Sequence, residues 1–407
     1  MRRALPWLLI GALLLGNVLA TYWLFTSRYP GANDFASRWA GARAFWNDGV
    51  SPYSDEATRQ IQLLIYGRPV LPAEESDLDP GPFAYPFYTV FLLWPLVALP
   101  YPWAEAVWLV ILEICLGAGT LLAMRVVGWQ PRAGLVAATT AWAFLFYPAA
   151  RAILLGQFAV PVFAAIPLAL WSWKTHREIL CGISLALATV KPQMVFLLVP
   201  LLLAQATVER RGRILGAFFV AAGVLVGASC LAEPGWILSF FRQMARYPSY
   251  TALGSPIWIL THLMIPGLGA WGEVALTALV IGYLLWESVQ SLRIRSTERL
   301  IWAAGVCLII TNLVALRTAT TNYVALYLPM MMVFRALERQ RGGIGWVLLS
   351  QAVLLIGMWA LFLSTLVGKF EHPLVYLPLP IGLLLVFIIW RDRLIPPAGQ
   401  QVPVRQP

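Results

Sequence analysis

The sequence predicts an all-α polytopic membrane protein, and its composition and its charge distribution both lead to that class. Of the 407 residues, 60% are hydrophobic and only 12% are charged. A typical soluble domain is about 45–50% apolar and about 25% charged, so this much apolar surface does not fit inside a water-soluble globule. Disordered chains are poor in aromatic residues, and the 13% aromatic content excludes that class.

The basic residues indicate membrane loops and exclude a nucleic-acid-binding surface. The net charge is +10, and most of it comes from arginines in short clusters between apolar runs, at 2–3, 210–213, 293–299, 335–341 and 391–393. Such clusters mark cytoplasmic loops. The four cysteines and three histidines are scattered without ligand spacing, so we predict neither a metal site nor a cofactor.

The sequence predicts one transmembrane domain, residues 1–395, followed by a disordered cytoplasmic tail at 396–407. The run from Leu5 to Phe25 reaches the roughly 20 residues that span a bilayer, so we expect a retained helix with a cytoplasmic N-terminus. Together with later apolar runs it predicts about twelve transmembrane helices. The later candidates are 86–99, 104–124, 134–147, 160–173, 180–203, 215–231, 274–289, 301–316, 323–334, 346–366 and 375–390.

Residues 27–82 form the one long polar segment, which we expect on the extracytoplasmic side. It holds five of the six aspartates in the chain. Within it, Asn33–Asp48 would place Phe35, Trp39 and Trp46 on one helical face. Such a helix is typical of the membrane surface, and Ser54–Tyr66 is a second candidate. We therefore expect interfacial helices in this loop.

The charge pattern leaves the topology of the middle of the chain open. Residues 174–177 look cytoplasmic because they carry Lys174, His176 and Arg177, but counting spans from the first helix places them outside. Two hairpins would resolve the conflict, one over 134–173 with its turn near 151–157 and one over 180–203 with its turn near 191–192.

Asp34, a few residues beyond the first helix, is the candidate general base. A carboxylate at the membrane boundary is partly desolvated, which favours proton abstraction near neutral pH. The alternative is structural, with Asn33 or Asp34 capping the following helix and Arg38 forming an i+4 ion pair. Position alone does not separate the two.

Lys191 is the candidate ligand for an anion such as phosphate. It lies inside an apolar run, directly before Pro192, and proline breaks a helix and frees backbone carbonyls. The alternative is a lysine that snorkels to a nearby interface. The scarcity of lysine, three in the whole chain, favours the functional interpretation.

Further candidates are polar residues that interrupt apolar runs or lie between spans. Arg151 and Gln157 interrupt two apolar runs, and Arg317 lies between two spans expected to meet outside. An anionic partner would explain these arginines, and an ordinary loop position would explain them equally well. Tyr53 and Tyr85 could stack on a sugar or belong to the interfacial aromatic belt.

These features together resemble glycosyltransferase family 87, the polyprenyl-phosphate-mannose-dependent mannosyltransferase-like proteins, within the GT-C glycosyltransferases. The likeness runs from about Leu5 to Phe334. The stretches that carry it are the Asp34 segment, Gly49-Val-Ser-Pro-Tyr53, Phe83-Ala-Tyr-Pro86 with the span ending Trp94-Pro-Leu, Leu155-Gly-Gln157, and Cys181-Gly-Ile-Ser-Leu-Ala-Leu-Ala-Thr-Val-Lys-Pro192.

The resemblance implies a GT-C-type helical bundle that transfers a hexose from a polyprenyl-phosphate sugar to a lipid or glycan acceptor. The favoured hexose is mannose, and the transfer inverts the anomeric configuration. Asp34 then matches the general base. The donor phosphate would meet Lys191, Arg151 and Arg317, and the substrates would meet Arg38, Tyr53, Tyr85, Gln157, Gln193, Asn322 and Tyr323. Family members often carry a late extracytoplasmic histidine, which the stretch Thr318–Tyr323 lacks.

The expected location is the plasma membrane, with both termini cytoplasmic and the site facing outside. One alternative is a transporter or flippase of lipid-linked glycans, which could use the same basic residues without chemistry. Another is an assembly subunit, for which Asp34, Arg151, Lys191 and Arg317 need not converge.

Overall fold

The computed structural model describes residues 5–71, 74, 78, 81–250, 254–316, 318–366 and 371–395. Every regular element in these ranges is helical, which confirms the all-α class. Arg317 and the predicted tail at 396–407 lie outside the described residues.

The N-terminal third contains the first membrane helix and the helices of the polar segment. They are α1 (Leu5–Thr21), α2 (Asn33–Asp48), α3 (Asp55–Tyr66), α4 (Thr89–Val97) and α5 (Tyr101–Val126). Gly49 follows α2 and Gly67 follows α3, and both glycines have positive φ, the conformation that closes a helix C-terminus. Ser54 caps α3 by accepting a hydrogen bond from Ala57 N at 3.1 Å.

The middle of the chain is a series of mostly short apolar helices. They are α6 (Ala133–Leu145), α7 (Tyr147–Leu154), α8 (Ala159–Lys174), α9 (Glu178–Ala188), α10 (Leu198–Val208) and α11 (Gly212–Ala232). A 56° bend separates α6 from α7, and Pro148 lies at the start of α7. A 3₁₀ turn, Pro192–Met194, lies between α9 and α10.

The C-terminal part completes the bundle. Its helices are α12 (Trp236–Tyr250), α13 (Pro256–Trp258), α14 (Gly269–Ile294), α15 (Thr297–Val314), α16 (Tyr327–Glu338), α17 (Gly343–Thr365), α18 (Pro378–Ile389) and α19 (Arg391–Leu394). The 3₁₀ segments Thr320–Leu326 and Pro373–Tyr376 precede α16 and α18. α15 is the most buried of the long helices and lies at the centre of the bundle.

Six helices among the described residues are long and apolar enough to cross a membrane, and the bent α6–α7 pair makes a seventh candidate. They are Leu8–Thr26, Tyr101–Val126, Gly212–Ala232, Gly269–Ile294, Thr297–Val314 and Gly343–Thr365. Four further apolar segments have only 10–17 residues. The polytopic class is therefore confirmed, and the number twelve stays a prediction. The expected span 86–99 contains only the nine residues of α4.

The apolar face of α2 packs on the protein, whereas the sequence suggested contact with the membrane surface. Phe35 and Trp39 are buried. Phe35 stacks on Trp108 of α5 at 5.2 Å between ring centroids, and Trp39 Nε1 donates to Leu96 O at 2.9 Å. Phe35 thus holds α2 against α5, and Trp39 holds it against α4.

α5 separates two chemically different ends of the bundle. Near its start, Tyr101 Oη donates to Gly31 O at 2.6 Å, beside Asp34. Directly after its last residue, Val127 O accepts a hydrogen bond from Arg335 Nη1. A helix of 26 residues is about 39 Å long at about 1.5 Å per residue. We call these the Asp34 end and the Arg335 end.

The middle helices run as the two hairpins that the sequence left open. α8 ends near Val126, where Lys174 Nζ donates to Val126 O at 3.4 Å, at the Arg335 end. Both intervening turns lie at the opposite end, because Gln157 contacts Asp34 and Lys191 contacts Gln157. Residues 174–177 therefore share an end with the arginine cluster around Arg335.

Candidate active site

The loop that leads from α1 into α2, just before Asp34, is tightly fixed. The backbone of Gly31 is bound from both sides, since its N–H donates to Glu105 Oε1 at 3.0 Å and its carbonyl accepts from Tyr101 Oη. Ala32 is the N-cap of α2, with φ +46° and no side-chain cap. The capping alternative for Asn33 and Asp34 is therefore wrong, and Asp34 lies in the first turn of α2.

The turn after α7 brings Gln157 against Asp34. Phe35 N donates to Leu155 O at 3.3 Å, which joins α2 to this turn. Gly156 has φ +68°, and a Cβ there would lie 2.5 Å from Phe35 Cβ. Glycine at 156 thus satisfies the left-handed backbone and the close approach of α2 together.

Gln157 bridges a carboxylate and an ammonium group. Its Nε2 donates to Asp34 Oδ2 at 2.5 Å, and its Oε1 accepts from Lys191 Nζ at 2.6 Å. Gln157 and Lys191 are 7% and 4% exposed, whereas the Asp34 side chain is 26% exposed. The three side chains form one polar chain whose carboxylate is its accessible end.

Lys191 lies at a break between two helices, as its sequence context predicted. α9 ends at Ala188, and Pro192 begins the following 3₁₀ turn. The snorkelling alternative does not fit, because the ammonium group is buried and bound to Gln157. Tyr88 Oη donates to Thr189 O at 2.8 Å and so ties this break to the segment after Pro86.

Arg38, Tyr85 and Tyr53 form the wall next to Asp34. Arg38 Nη1 lies 3.4 Å from Asp34 Oδ1, which confirms the i+4 ion pair. Its guanidinium lies over the Tyr85 ring at 4.5 Å. Tyr53 Oη donates to Tyr85 O at 2.7 Å, and burial raises the pKa of the Tyr53 phenol well above its usual value. The Tyr53 hydroxyl therefore stays neutral, and its hydrogen bond positions the Tyr85 backbone.

Arg151 belongs to a second polar network at the Asp34 end. Its Nη1 pairs with Glu371 Oε2 and donates to Thr320 Oγ1 at 3.0 Å. Glu371 also accepts hydrogen bonds from Tyr147 and from Tyr376. The Arg151 side chain is 27% exposed, so an ion-paired guanidinium with an open edge remains at the surface of this network.

The remaining predicted substrate residues lie near these two networks. Gln193 is half-buried on the 3₁₀ turn after Lys191. Asn322 and Tyr323 are buried in the 3₁₀ segment that begins at Thr320, and Tyr323 Oη donates to Tyr376 O at 2.7 Å. Of the four residues expected to converge, Asp34 and Lys191 are joined through Gln157, while Arg151 is held in the network of Glu371.

Two carboxylates near the site, Glu105 and Glu371, were not predicted from the sequence. Glu105 is 3% exposed inside the long apolar helix α5 and holds the Gly31 amide. The rule that singled out Lys191, an ionisable group within an apolar run, also applies to Glu105. Glu371 lies just before the 3₁₀ segment Pro373–Tyr376, and only its tertiary contacts distinguish it from a solvated loop residue.

No group of three or more His, Cys, Asp or Glu side chains in the part of the chain that the structure describes is arranged to hold a metal ion. The site chemistry visible there consists of a half-buried carboxylate, a buried ammonium group, two arginines and aromatic walls. That set suits recognition of a phosphate and a hydroxyl-rich substrate.

A family model described as Glycosyltransferase family 87 matches residues 83–255. The match confirms the resemblance read from the motifs, and with the apolar helices it supports a membrane glycosyltransferase. Tyr85, Arg151, Gln157, Lys191 and Gln193 fall inside the matched segment, and Asp34 precedes it. No curated protein and no solved structure matches the chain.

Proposed function

Because residues 83–255 match glycosyltransferase family 87, we propose that the chain is a membrane hexosyltransferase with its active site at the Asp34 end. The donor is a polyprenyl-phosphate sugar, with mannose as the first sugar to test, and the acceptor is a lipid or glycan hydroxyl. The observation that carries the proposal is the Asp34–Gln157–Lys191 chain, since it would join a base to a phosphate ligand.

The transfer is a single displacement with inversion. The acceptor hydroxyl attacks the anomeric carbon of the sugar while its proton passes to the Asp34 carboxylate. The bond between that carbon and the phosphate oxygen breaks, and its electron pair leaves with the polyprenyl phosphate. The partial exposure of Asp34 supports this role, because a base has to reach the hydroxyl that it deprotonates.

The departing phosphate gains charge as the sugar leaves, and fixed cations near it lower the barrier. Lys191 is the first such cation in our proposal, and Arg151 is the second, its guanidinium exchanging part of its contact with Glu371 for the phosphate. Arg317 is the third predicted member of this set. Gln157 orients both Asp34 and Lys191, so it is a positioning residue.

The sugar and the acceptor contact the wall formed by Arg38 and Tyr85, with Gln193, Asn322 and Tyr323 farther from the base. A carbohydrate ring packs on aromatic faces, and Tyr85 offers one next to Asp34. Tyr53 serves the same wall by holding the Tyr85 backbone.

We further propose that the Asp34 end faces the extracytoplasmic side of the plasma membrane and that both termini are cytoplasmic. The arginine clusters at the opposite end support this orientation through the positive-inside rule. In this arrangement α2 and α3 lie at the outer interface, and the short apolar helices bring the number of membrane segments towards twelve.

The test is a transfer assay on purified protein with synthetic polyprenyl-phosphate sugars and membrane-extracted acceptors. Asp34→Asn keeps the size of the side chain and removes the base. We expect donor binding within about twofold of wild type and a loss of transfer of about 100-fold or more, since general base catalysis contributes about 10²–10⁴.

Asp48→Asn is the matched control, because it makes the same change at the exposed last residue of α2 and should leave transfer unchanged. Undiminished transfer in Asp34→Asn contradicts the base assignment. If the chain instead moves labelled lipid-linked glycan across vesicles without forming a product, the transporter alternative replaces the enzyme.

A further inference from the structure

A basic cavity lies at the Arg335 end, far from the proposed active site. It has a volume of about 680 Å³ and lies where the C-terminal ends of α10 and α14 meet. Its lining residues are Thr207, Val208, Glu209, Arg210, Arg211 and Arg295. Nothing in the proposed transfer reaction uses this cavity.

Buried hydrogen bonds fix the two helices that form the cavity. Ser291 Oγ of α14 donates to Gln205 Oε1 of α10 at 3.2 Å, and both residues are fully buried. Gln205 Nε2 donates to Glu209 Oε1 at 2.7 Å. These bonds hold the two helices together beside the cavity and fix Glu209, one of its lining residues.

The charge inside the cavity is unbalanced. Glu209 Oε2 pairs with Arg211 Nε at 2.8 Å, so the single carboxylate neutralises one of the three arginines. Arg211 also donates to Trp173 O at 3.0 Å, which holds it in place. Arg210 and Arg295 form no ion pair with any side chain that the structure describes, and they leave two positive charges facing the cavity.

The backbone of these two arginines adds an independent observation. Only four described residues other than glycine have positive φ, and Arg210 and Arg295 are two of them, at +56° and +55°. Each follows the end of a helix, a position where glycine is favoured because a Cβ costs about 1 kcal/mol or more there. Arginine thus occupies both positions against the local backbone preference.

We propose that this cavity binds the phosphate of an anionic phospholipid headgroup. Pairs of arginines bind phosphate oxygens with charge-assisted hydrogen bonds, and basic pockets between membrane helices on the cytoplasmic side suit such lipids. The headgroup phosphate bridges Arg210 and Arg295 and thereby links the C-terminal ends of α10 and α14. The acyl chains extend along the outer surface of the same helices.

The test compares the thermal midpoint of the purified full-length protein in micelles with added phosphatidylglycerol, with added phosphatidylcholine, and with inorganic phosphate. We expect phosphatidylglycerol to raise the midpoint and the other two additives to leave it unchanged. In the double variant Arg210→Gly/Arg295→Gly, the phosphatidylglycerol concentration for half the rise should increase at least tenfold. Glycine suits both backbone positions, so the variant should fold.

The matched control is Arg213→Gln/Arg293→Gln, which removes the same charge from exposed neighbours that do not line the cavity. The control should respond to phosphatidylglycerol as wild type does. An equal loss in the control would assign the effect to general surface charge and overturn the proposal. An equal rise with inorganic phosphate would overturn the lipid assignment.

If the glycine variant does not fold, Arg210→Asn/Arg295→Asn replaces it, since asparagine tolerates the left-handed region better than other residues with a side chain. An unchanged response to phosphatidylglycerol in a folded double variant contradicts the proposal. Transfer activity is a separate readout, so failure of the lipid site and failure of the proposed function are distinguishable.

Discussion

At the residue scale, the proposed site depends on one neutral side chain. Gln157 touches both Asp34 and Lys191, whereas these two charged residues meet only through it. An amide can serve both partners because it carries a donor and an acceptor. Its orientation is therefore determined by the charges on either side, and the proposed base and the proposed phosphate ligand are held at a fixed spacing.

The first prediction at this scale concerns Gln157→Met, which keeps the length of the side chain and removes both hydrogen bonds. We expect kcat for transfer to fall by about 10- to 100-fold, since small displacements of catalytic groups cost rates of that order. Steady-state kinetics on the purified variant measure it.

Gln351→Met is the control for Gln157→Met. Gln351 is also a buried glutamine, and its Nε2 donates to Thr139 Oγ1 at 2.8 Å, so the variant loses a comparable bond outside the site. It should lower thermal stability and leave kcat near wild type. Equal losses of kcat in both variants would mean that Gln157 is structural only.

At the element scale, the site is built from interruptions in helices. The first turn of α2, the turn after α7 and the break after α9 meet at Gln157, while the regular helices around them supply the frame. Backbone groups released at such breaks need partners. Tyr88 and Tyr101 provide hydroxyl donors to the carbonyls of Thr189 and Gly31, which keeps these irregular segments ordered inside an apolar bundle.

The prediction at the element scale concerns Gly156→Ala. The new Cβ would lie 2.5 Å from Phe35 Cβ and 3.0 Å from Ala32 Cβ, at φ +68°. Backbone strain and overpacking together should cost about 3 kcal/mol, and the displaced α2 should carry Asp34 away from Gln157. Thermal unfolding in detergent and the transfer assay measure the two effects.

Gly128→Ala separates strain from overlap. Gly128 also has φ +68°, but the nearest atom to an added Cβ is Arg335 Nη1 at 3.9 Å. This control should lose only about 1 kcal/mol and keep transfer activity. If both variants lose the same free energy of unfolding, the close approach between Gly156 and α2 does not contribute to the cost of Gly156→Ala.

At the scale of the whole molecule, the two ends of the bundle carry different groups of polar residues. The Asp34 end holds both polar networks, and the Arg335 end holds the arginine clusters and the basic cavity. Long charged side chains are stable at the ends of membrane helices, where they reach water and headgroups. The distribution of arginines that supports the proposed orientation thus also separates the proposed chemistry from the proposed lipid site.

The prediction at this scale concerns the hairpins and uses single cysteines in a background without the four native ones. We expect Asp55→Cys to react with a membrane-impermeant thiol reagent added to intact cells. Thr175→Cys should be protected until the membrane is permeabilised, because residues 174–177 share the Arg335 end. Arg341→Cys serves as the reference for that end, and labelling of Thr175→Cys from outside would contradict the hairpins.

Much of this organisation could be predicted from local patterns. The membrane class follows from composition, because the cost of exposing apolar surface is summed over the chain and does not depend on its path. The bounds of α2 and the helix break at Pro192 were predicted correctly, because terminal glycines and prolines act through local backbone geometry. Lys191 was singled out because a charge inside an apolar run is rare, and Asp34 because it lies a few residues beyond the first membrane helix.

The tertiary structure alone decided which of these residues meet. The contacts of Gln157 with Asp34 and Lys191, and that of Arg151 with Glu371, join positions 34 to 220 residues apart. No local preference encodes such pairs. The burial of the α2 face against protein and the routes of the two hairpins were equally undetermined, because bilayer and protein interior are both apolar. The sequence by itself established where charge is costly, and the packing of the helices determined which partners offset that cost.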